Sequence, residues 1–129
     1  AHDTTTSTLC SIIYALARHP EWQAALREEI RAMSGPPSLD SLGEMDTTAL
    51  VFREALRMYP PLPTIPRRCI RETDILGHRI PRNAGIGISP LFTHYMPEYW
   101  SEPRRFDPER FGAARAEDKR HFFQFIRGG

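Results

Sequence analysis

The sequence predicts a mainly α fold with a small β-sheet, an α+β arrangement, and three observations point to it. Residues 1 to 59 carry apolar side chains at helical spacing in three separate segments. A proline-rich segment, residues 60–66, then enforces an extended path, and short segments typical of strands follow it. The stretch of residues 96–114, here termed the aperiodic segment, has no sustained hydrophobic period. The length of 129 residues is that of one modest domain.

The first helix is predicted over residues 1 to about 18 from apolar side chains at helical spacing, namely Leu9, Ile12, Ile13 and Leu16. Its opening run, Asp3 to Thr6, is unfavourable inside a helix, because threonine loses rotamer freedom there and both residue types compete for backbone hydrogen bonds. On local grounds alone, Asp3 is equally well explained as a simple N-cap.

A second helix is predicted after His19, with Pro20 in its first turn. Its apolar stripe comprises Trp22, Leu26, Ile30 and Met33. Its solvated face comprises Glu21, Arg27, Glu28, Glu29 and Arg31. The helix is expected to end at residues 34–37, and a helical turn around residues 38–42 leads to the third helix.

The third helix, predicted over residues 47–59, has Asp46 as its expected N-cap and ends at Pro60. It has almost no polar face, which is typical of a buried helix. Glu54 and Arg57 lie three residues apart on one side of it. A buried charge costs several kcal/mol unless it is paired, so these two side chains are expected to hold each other and a third partner.

The β part is predicted as short strands at residues 67–70, 73–76 and 85–89, with Gly77 and His78 as a hairpin turn and Ile80 and Pro81 at the end of that hairpin. Residues 91–95 are expected to form a helical turn, and residues 115–123 a short helical stretch. An aperiodic segment as long as residues 96–114 is uncommon in a compact domain unless it is functional.

Composition excludes several classes of function. A formal net charge of +1 gives no case for a nucleic-acid partner. Cys10 and Cys69 lack metal-ligand spacing, and the five histidines are scattered, so a zinc or histidine metal site is not expected. No apolar run approaches the ~18 residues of a membrane span, and no signal peptide is visible. The cellular location stays unspecified, and a bacterial source would imply the cytoplasm.

The motif Glu-x-x-Arg occurs three times, and its surroundings separate the three copies. The pairs Glu28/Arg31 and Glu102/Arg105 lie among polar residues and are expected to be ordinary surface pairs. The third pair lies in the apolar helix and runs into the sequence Met58-Tyr59-Pro60-Pro61.

Two further motifs accompany that pair: Asp3-Thr4-Thr5 upstream, and Phe106-Asp107-Pro108-Glu109-Arg110-Phe111 downstream. In this order the three motifs resemble those of the cytochrome P-450 (haem-thiolate monooxygenase) family. The resemblance covers the whole chain and implies the end of the I helix, the J and K helices, short β-strands and the meander, which corresponds to the aperiodic segment. Residues 1–129 are therefore interpreted as part of a catalytic domain, incomplete at both ends, that stops just before the haem-binding cysteine loop.

The resemblance assigns roles residue by residue. Glu54, Arg57 and Arg110 are expected to form a buried three-way ion pair that fixes the meander, as a scaffold and not as a catalyst. Thr4 is expected to place its hydroxyl beside dioxygen, and Asp3 to belong to the proton relay. Poor helix formers at this point are expected to let the helix open locally.

The resemblance also implies a haem b cofactor, with Arg67 as a propionate contact, although the adjacent Arg68 is an alternative. Thr64 and Ile65 are expected to contact a small, lipophilic organic substrate. Dioxygen is the second substrate, and electrons come from NAD(P)H through a reductase or ferredoxin. The basic residues Arg115, Lys119 and Arg120 are expected either to face that redox partner or to form a solvated cluster.

One departure from the family pattern is central: the cysteine that ligates the haem iron is absent from the chain, and neither Cys10 nor Cys69 has the required loop context. Arg127 also stands where the family has a Pro-Phe pair. The chain alone is therefore expected to be inactive, expanded and prone to aggregation. The main hypothesis is a fragment of a haem monooxygenase that inserts one atom of dioxygen into an organic substrate. The alternatives are a truncated or degenerate, non-catalytic binding module and an unrelated small α+β domain.

Overall fold

A computed structural model describes residues 2–36, 38–115 and 122. Four helices carry the chain, namely α1 (His2–Arg18), α2 (Pro20–Ala32), α3 (Asp46–Met58) and α4 (Pro90–His94). Four short strands lie between α3 and α4, namely β1 (Ile65–Arg68), β2 (Thr73–Ile75), β3 (His78–Ile80) and β4 (Gly85–Ile88). One 3₁₀ helix, Ser41–Glu44, precedes α3, and a second, Pro108–Phe111, lies near the end of the aperiodic segment. The predicted mainly α fold with a small β part is confirmed.

The core lies where α1, α2 and the aperiodic segment pack against α3. Its buried members are Ala15, Val51, Ala55, Met58 and Phe106. Alanines at the contact between α1 and α3 allow the two helix backbones to approach closely. The ring of Phe106 also stacks on His19 at the corner between α1 and α2, with the two ring centroids 4.8 Å apart. The core therefore joins the helices to the aperiodic segment.

The N-terminus of α3 is capped by a side chain from α2. Met45 occupies the N-cap position and Asp46 is the first residue of the helix, so the predicted role of Asp46 as N-cap is wrong. Instead the Glu29 carboxylate accepts hydrogen bonds from the backbone amides of Thr47 (2.5 Å) and Thr48 (3.0 Å) and from the Thr48 hydroxyl (2.6 Å). A carboxylate at this position satisfies otherwise unpaired amides and interacts favourably with the helix dipole. Glu29, expected on a purely solvated face, therefore ties α2 to α3.

The change Glu29→Ala is expected to lower the free energy of unfolding of the complete protein by ~1–2 kcal/mol, because the amides of Thr47 and Thr48 lose their acceptor. Urea denaturation followed by circular dichroism measures this, with Glu28→Ala as the matched control, since Glu28 is exposed and pairs with the exposed Arg31. An equal effect of both changes would contradict the tertiary cap.

The contribution of Glu29 depends on pH in a defined direction. Partial burial by itself raises the pKa of this carboxyl, but the hydrogen bonds from Thr48 and Thr47 outweigh it and lower the pKa below its ordinary value of 4.5. A depressed pKa in the folded state means that the stabilisation is present above the unfolded-state value and is lost as pH falls through the folded one. The difference between wild type and Glu29→Ala should therefore shrink in acid.

Helix α3 is buried along its second half, and its first half is only partly covered. Residues 54–58 are all buried, whereas Phe52 keeps 42% of its surface exposed. The expectation of a helix buried nearly all round therefore holds for the C-terminal half, which carries Glu54 and Arg57.

The strands form two separate antiparallel pairs, β1 with β4 and β2 with β3. The β2–β3 hairpin turns at Leu76 and Gly77, one residue earlier than predicted, and both residues have positive φ (53° and 82°). This is the backbone of a two-residue hairpin turn, which glycine adopts freely and leucine rarely. The apolar Leu76 was assigned to a strand, but it lies 95% exposed at the turn. Strand β1 likewise begins two residues before its predicted start, at Ile65.

Helix α4 confirms the predicted turn near residues 91–95, and Ser89 caps it by accepting a hydrogen bond from the Phe92 amide. The predicted helical stretch at residues 115–123 falls mostly outside the described residues. The pairs Glu28/Arg31 and Glu102/Arg105 are confirmed as surface pairs. Of the helices in the described ranges, none combines the length and the apolar character that crossing a membrane requires.

Candidate functional site

The Glu54 carboxylate is fully inaccessible to solvent, although it is a charged group. Arg57, one turn later on α3, donates to both of its oxygens, from Nε (2.7 Å) and from Nη2 (2.9 Å). Two parallel bonds of this kind fix the carboxylate and the guanidinium in one plane. Helical spacing of three residues brings the pair together, and the apolar surroundings keep water out.

The aperiodic segment supplies the other partners of this carboxylate. Arg110 Nε donates to Glu54 Oε1 (3.1 Å), and so does the backbone amide of Asp107 (2.9 Å). The Arg110 side chain is also fully buried. The structure therefore brings Glu54, Arg57 and Arg110 together as the sequence analysis expected, with a backbone amide as a fourth participant.

The Arg57 guanidinium also holds backbone carbonyls from residues far along the chain. Its Nη1 donates to the carbonyls of His94 (2.7 Å) and Pro103 (2.9 Å), and its Nη2 lies 3.4 Å from that of Arg105. The indole of Trp100 lies against the same guanidinium, at 5.4 Å from ring centroid to Cζ. A planar donor group with five N–H bonds suits this task better than a lysine would.

Arg110 also donates hydrogen bonds to backbone carbonyls of the aperiodic segment. Its Nη1 donates to the carbonyl of Ser101 (3.0 Å) and its Nη2 to that of Arg105 (3.3 Å). The aperiodic segment is thus folded around two guanidiniums rather than around a hydrophobic stripe. With no solvent access, the cluster cannot exchange protons with a substrate, which fits a scaffold and not a catalyst.

His94 is also fully buried. Its Nδ1 lies 2.9 Å from the carbonyl oxygen of Arg57. Burial, the largest influence, lowers the pKa of His94 to about 4, and the Arg57 charge acts in the same direction, although the hydrogen bond to the carbonyl opposes both. The imidazole is therefore neutral near pH 7, and Nδ1 carries the proton that it donates. Trp100 and Phe106 are also buried.

Thr4 lies at a small cavity between α1 and α3, whereas Asp3 is exposed to solvent. The cavity has a volume of about 190 Å³. Its lining residues are Thr4, Thr5, Thr8, Leu9, Phe52, Leu56 and Pro61. Helix α1 runs without interruption from His2 to Arg18, so the expected local opening is not seen. The Thr8 hydroxyl instead donates to the Thr4 carbonyl (2.8 Å), a bond that bends helices slightly while keeping them closed.

The two candidate haem-contacting arginines occupy opposite faces of the β1–β4 sheet. Directly paired residues share a face, and Arg67 pairs with Ile86 while Arg68 pairs with Gly85. Ile65 and its partner Ile88 lie on the same face as Arg67. Arg67 therefore shares its face of the sheet with isoleucines, whereas Arg68 shares the opposite face with glycines. Both arginines are exposed.

The remaining predicted residues are placed as follows. Thr64 is exposed and Ile65 half-buried, and neither lines the cavity at Thr4. Arg115 contacts the Asp107 carboxylate and donates to the Ser101 hydroxyl (3.1 Å), whereas Lys119, Arg120 and Arg127 lie outside the described residues.

Neither cysteine is placed as a ligand. Cys10 is exposed on α1, and the buried Cys69 donates its thiol hydrogen to the carbonyl of Arg71 (2.7 Å). Within residues 2–36, 38–115 and 122, histidines, cysteines and carboxylates form no cluster of three or more that could hold a metal ion.

Sequence reasoning missed the tertiary cap by Glu29 and most partners of the buried arginines. Glu29 gave a weak signal, since it is an acidic residue on a helix just before another helix N-terminus. The carbonyls of His94, Pro103 and Arg105 gave none, because every residue has a carbonyl and only the fold selects which ones face Arg57.

Comparison with known proteins gives a consistent result. The family model described as Cytochrome P450 matches residues 1–126. The chain is 40% identical over 126 residues to cytochrome P450 136 of Mycobacterium tuberculosis, covering 97% of this chain and 26% of that protein. It is 38% identical over 130 residues to cytochrome P450 4d1 of Drosophila melanogaster, covering 97% of this chain and 25% of that protein. The chain thus spans about a quarter of the length of these two relatives.

Proposed function

Because the chain belongs to the cytochrome P450 family, we propose that it is part of the catalytic domain of a haem-dependent monooxygenase, an oxidoreductase that inserts one atom of dioxygen into an organic substrate. The observation that carries this proposal is the fully buried cluster of Glu54, Arg57 and Arg110, which ties the aperiodic segment to α3. The proposal includes a longer polypeptide, because the chain covers only 26% and 25% of the two relatives described above.

The described residues fit a haem b on one side of the site. Arg67 offers an exposed cation on the isoleucine face of the β1–β4 sheet, which suits a group with an apolar ring and anionic propionates. The iron ligand is not among the described residues, so the chain by itself is proposed to be inactive. When bound, the haem supplies the dioxygen chemistry, with electrons from NAD(P)H through a redox partner.

Thr4 and Asp3 are proposed to deliver protons. Thr4 lines a cavity that is mostly apolar, where its hydroxyl is proposed to hold a proton donor in place. The exposed Asp3, one residue before Thr4, can exchange protons with solvent. Thr64 and Ile65, between Pro61 at that cavity and the Arg67 face, are proposed to contact a lipophilic substrate.

The complete protein tests this function through its reduced, carbon-monoxide-bound spectrum, in which we expect the Soret band at the position characteristic of thiolate-ligated haem. Arg67→Ala is expected to weaken haem binding about tenfold, as the loss of one hydrogen bond to a charged group does. Arg68→Ala, the matched change on the opposite face of the strand, should have little effect.

A complete protein that binds no haem would overturn the proposal in favour of the alternative, a non-catalytic binding module. Equal effects of the two arginine changes would leave the haem function intact but contradict the role of Arg67.

A further inference from the structure

The junction between α3 and α4 is held by two hydrogen bonds that run in opposite directions between the same two residues. The Arg57 side chain donates to the His94 carbonyl (2.7 Å), and the His94 side chain donates to the Arg57 carbonyl (2.9 Å). Both residues are fully buried. The backbone of each residue is thus fixed by the side chain of the other.

These bonds satisfy carbonyls that every helix leaves unpaired at its C-terminus. The Ala55 carbonyl accepts from the Tyr59 amide (2.8 Å), which ends the helix. The Arg57 carbonyl accepts from His94, and the Met58 carbonyl accepts from the Tyr95 hydroxyl (3.1 Å). Side chains at the end of α4 therefore cap α3.

The His94 cap differs from the Tyr95 cap in what it positions. Arg57 donates to Glu54 and to the carbonyls of Pro103 and Arg105, so a shift of its backbone moves the partners of the whole buried cluster. Met58 carries no polar side chain and contacts none of these groups through hydrogen bonds. Loss of the Tyr95 bond should therefore cost stability alone.

We propose that His94 is a positioning residue of the haem site: its neutral imidazole, protonated at Nδ1, orients the Arg57 guanidinium and through it the aperiodic segment. Aromatic rings enclose the imidazole, with the ring centroid of Trp100 at 6.2 Å and that of Phe122 at 5.5 Å, and these leave the ring little freedom to turn. The depressed pKa of the imidazole agrees with a neutral donor. The expected effect of His94 on the haem site rests on the proposed function. The contact between His94 and Arg57 does not.

Three changes at His94 in the complete protein separate hydrogen bonding from space filling. In His94→Asn the amide nitrogen lies where Nδ1 was, in His94→Gln it lies one bond further out, and in His94→Leu there is no donor. Tyr95→Phe serves as the control that removes only the neighbouring cap. All four variants keep the backbone carbonyl of residue 94, which accepts a hydrogen bond from Arg57.

The first readout is hydrogen exchange of the Asp107 amide, which is bonded to Glu54 and can be measured with or without haem. We expect exchange about tenfold faster in His94→Leu and His94→Gln, as when a buried acceptor loses its donor, and wild-type exchange in His94→Asn. In Tyr95→Phe the Asp107 amide should be accelerated no more than buried amides elsewhere in the protein, because only overall stability falls. Wild-type exchange in all variants, or equal acceleration in His94→Asn and His94→Leu, would overturn the proposal.

The second readout is the carbon-monoxide spectrum of the reduced protein. In His94→Leu and His94→Gln, the amount of haem whose Soret band lies away from the characteristic position, relative to the amount at that position, should rise about tenfold. In His94→Asn this ratio should return to the wild-type value. If the wild-type protein binds no haem, the proposed function fails, while the exchange result still decides the role of His94. If exchange changes but the spectrum does not, His94 positions the segment without affecting the haem, and the inference is wrong in its functional part.

Discussion

Replacing Glu54 by glutamine is expected to lower the free energy of unfolding of the complete protein by ~3–5 kcal/mol, among the largest effects of any single change in this chain. Glutamine has nearly the same shape, so no cavity forms. The change removes a negative charge that pairs with the fully buried guanidiniums of both Arg57 and Arg110. It also places an amide N–H₂ where one of these donors needs an acceptor, and a buried donor without an acceptor is costly.

Urea denaturation measures the effect, and Glu102→Gln is the matched control. Glu102 forms the same three-residue pair with Arg105, at 3.1 Å, but both side chains are mostly exposed. The control should stay within ~0.5 kcal/mol of wild type. If Glu54→Gln does not accumulate, Glu54→Asp keeps the charge with a shorter reach and should show an intermediate loss. A stability equal to wild type in both changes would mean that carbonyl partners alone neutralise the guanidiniums.

The Glu54/Arg57 pair was predictable because its residue types contradict their surroundings. Two charges in an apolar helix need each other and further polar partners. The family motif around Arg110 then selected one of many arginines. The contact partners of those guanidiniums were not predictable, because backbone carbonyls carry no sequence signal and the aperiodic segment has no hydrophobic period from which its path could be derived.

In the β part, the sequence predicted the type of the elements but not their pairing. Strand type was read correctly from local residues, yet the pairing of β1 with β4 joins residues separated by the whole β2–β3 hairpin. Local pattern also placed Leu76 in a strand, although the left-handed backbone at the turn exposes it. Which residues of β4 share a face with each arginine follows only from that pairing.

The change Thr4→Ala is expected to reduce product formation by the complete enzyme about 100-fold, the scale of a lost general acid–base contribution. The hydroxyl of Thr4 is the polar group proposed to hold a proton donor at the cavity between α1 and α3. The backbone should change little, because the Thr8 hydroxyl bonds the Thr4 carbonyl and not its side chain. Reduced cofactor should still be consumed, so that product formed per NAD(P)H oxidised falls.

Two matched changes on the same helix separate chemistry from folding. Thr4→Ser keeps the hydroxyl and should retain most of the product yield. Thr6→Ala makes the same substitution at an exposed residue that does not line the cavity, and it should behave as wild type. The assay uses a lipophilic compound that shifts the haem spectrum of the wild-type protein on binding. A full product yield in Thr4→Ala would show that protons reach the site by another path, because a hydroxyl that can be deleted without loss cannot be the group that holds the proton donor.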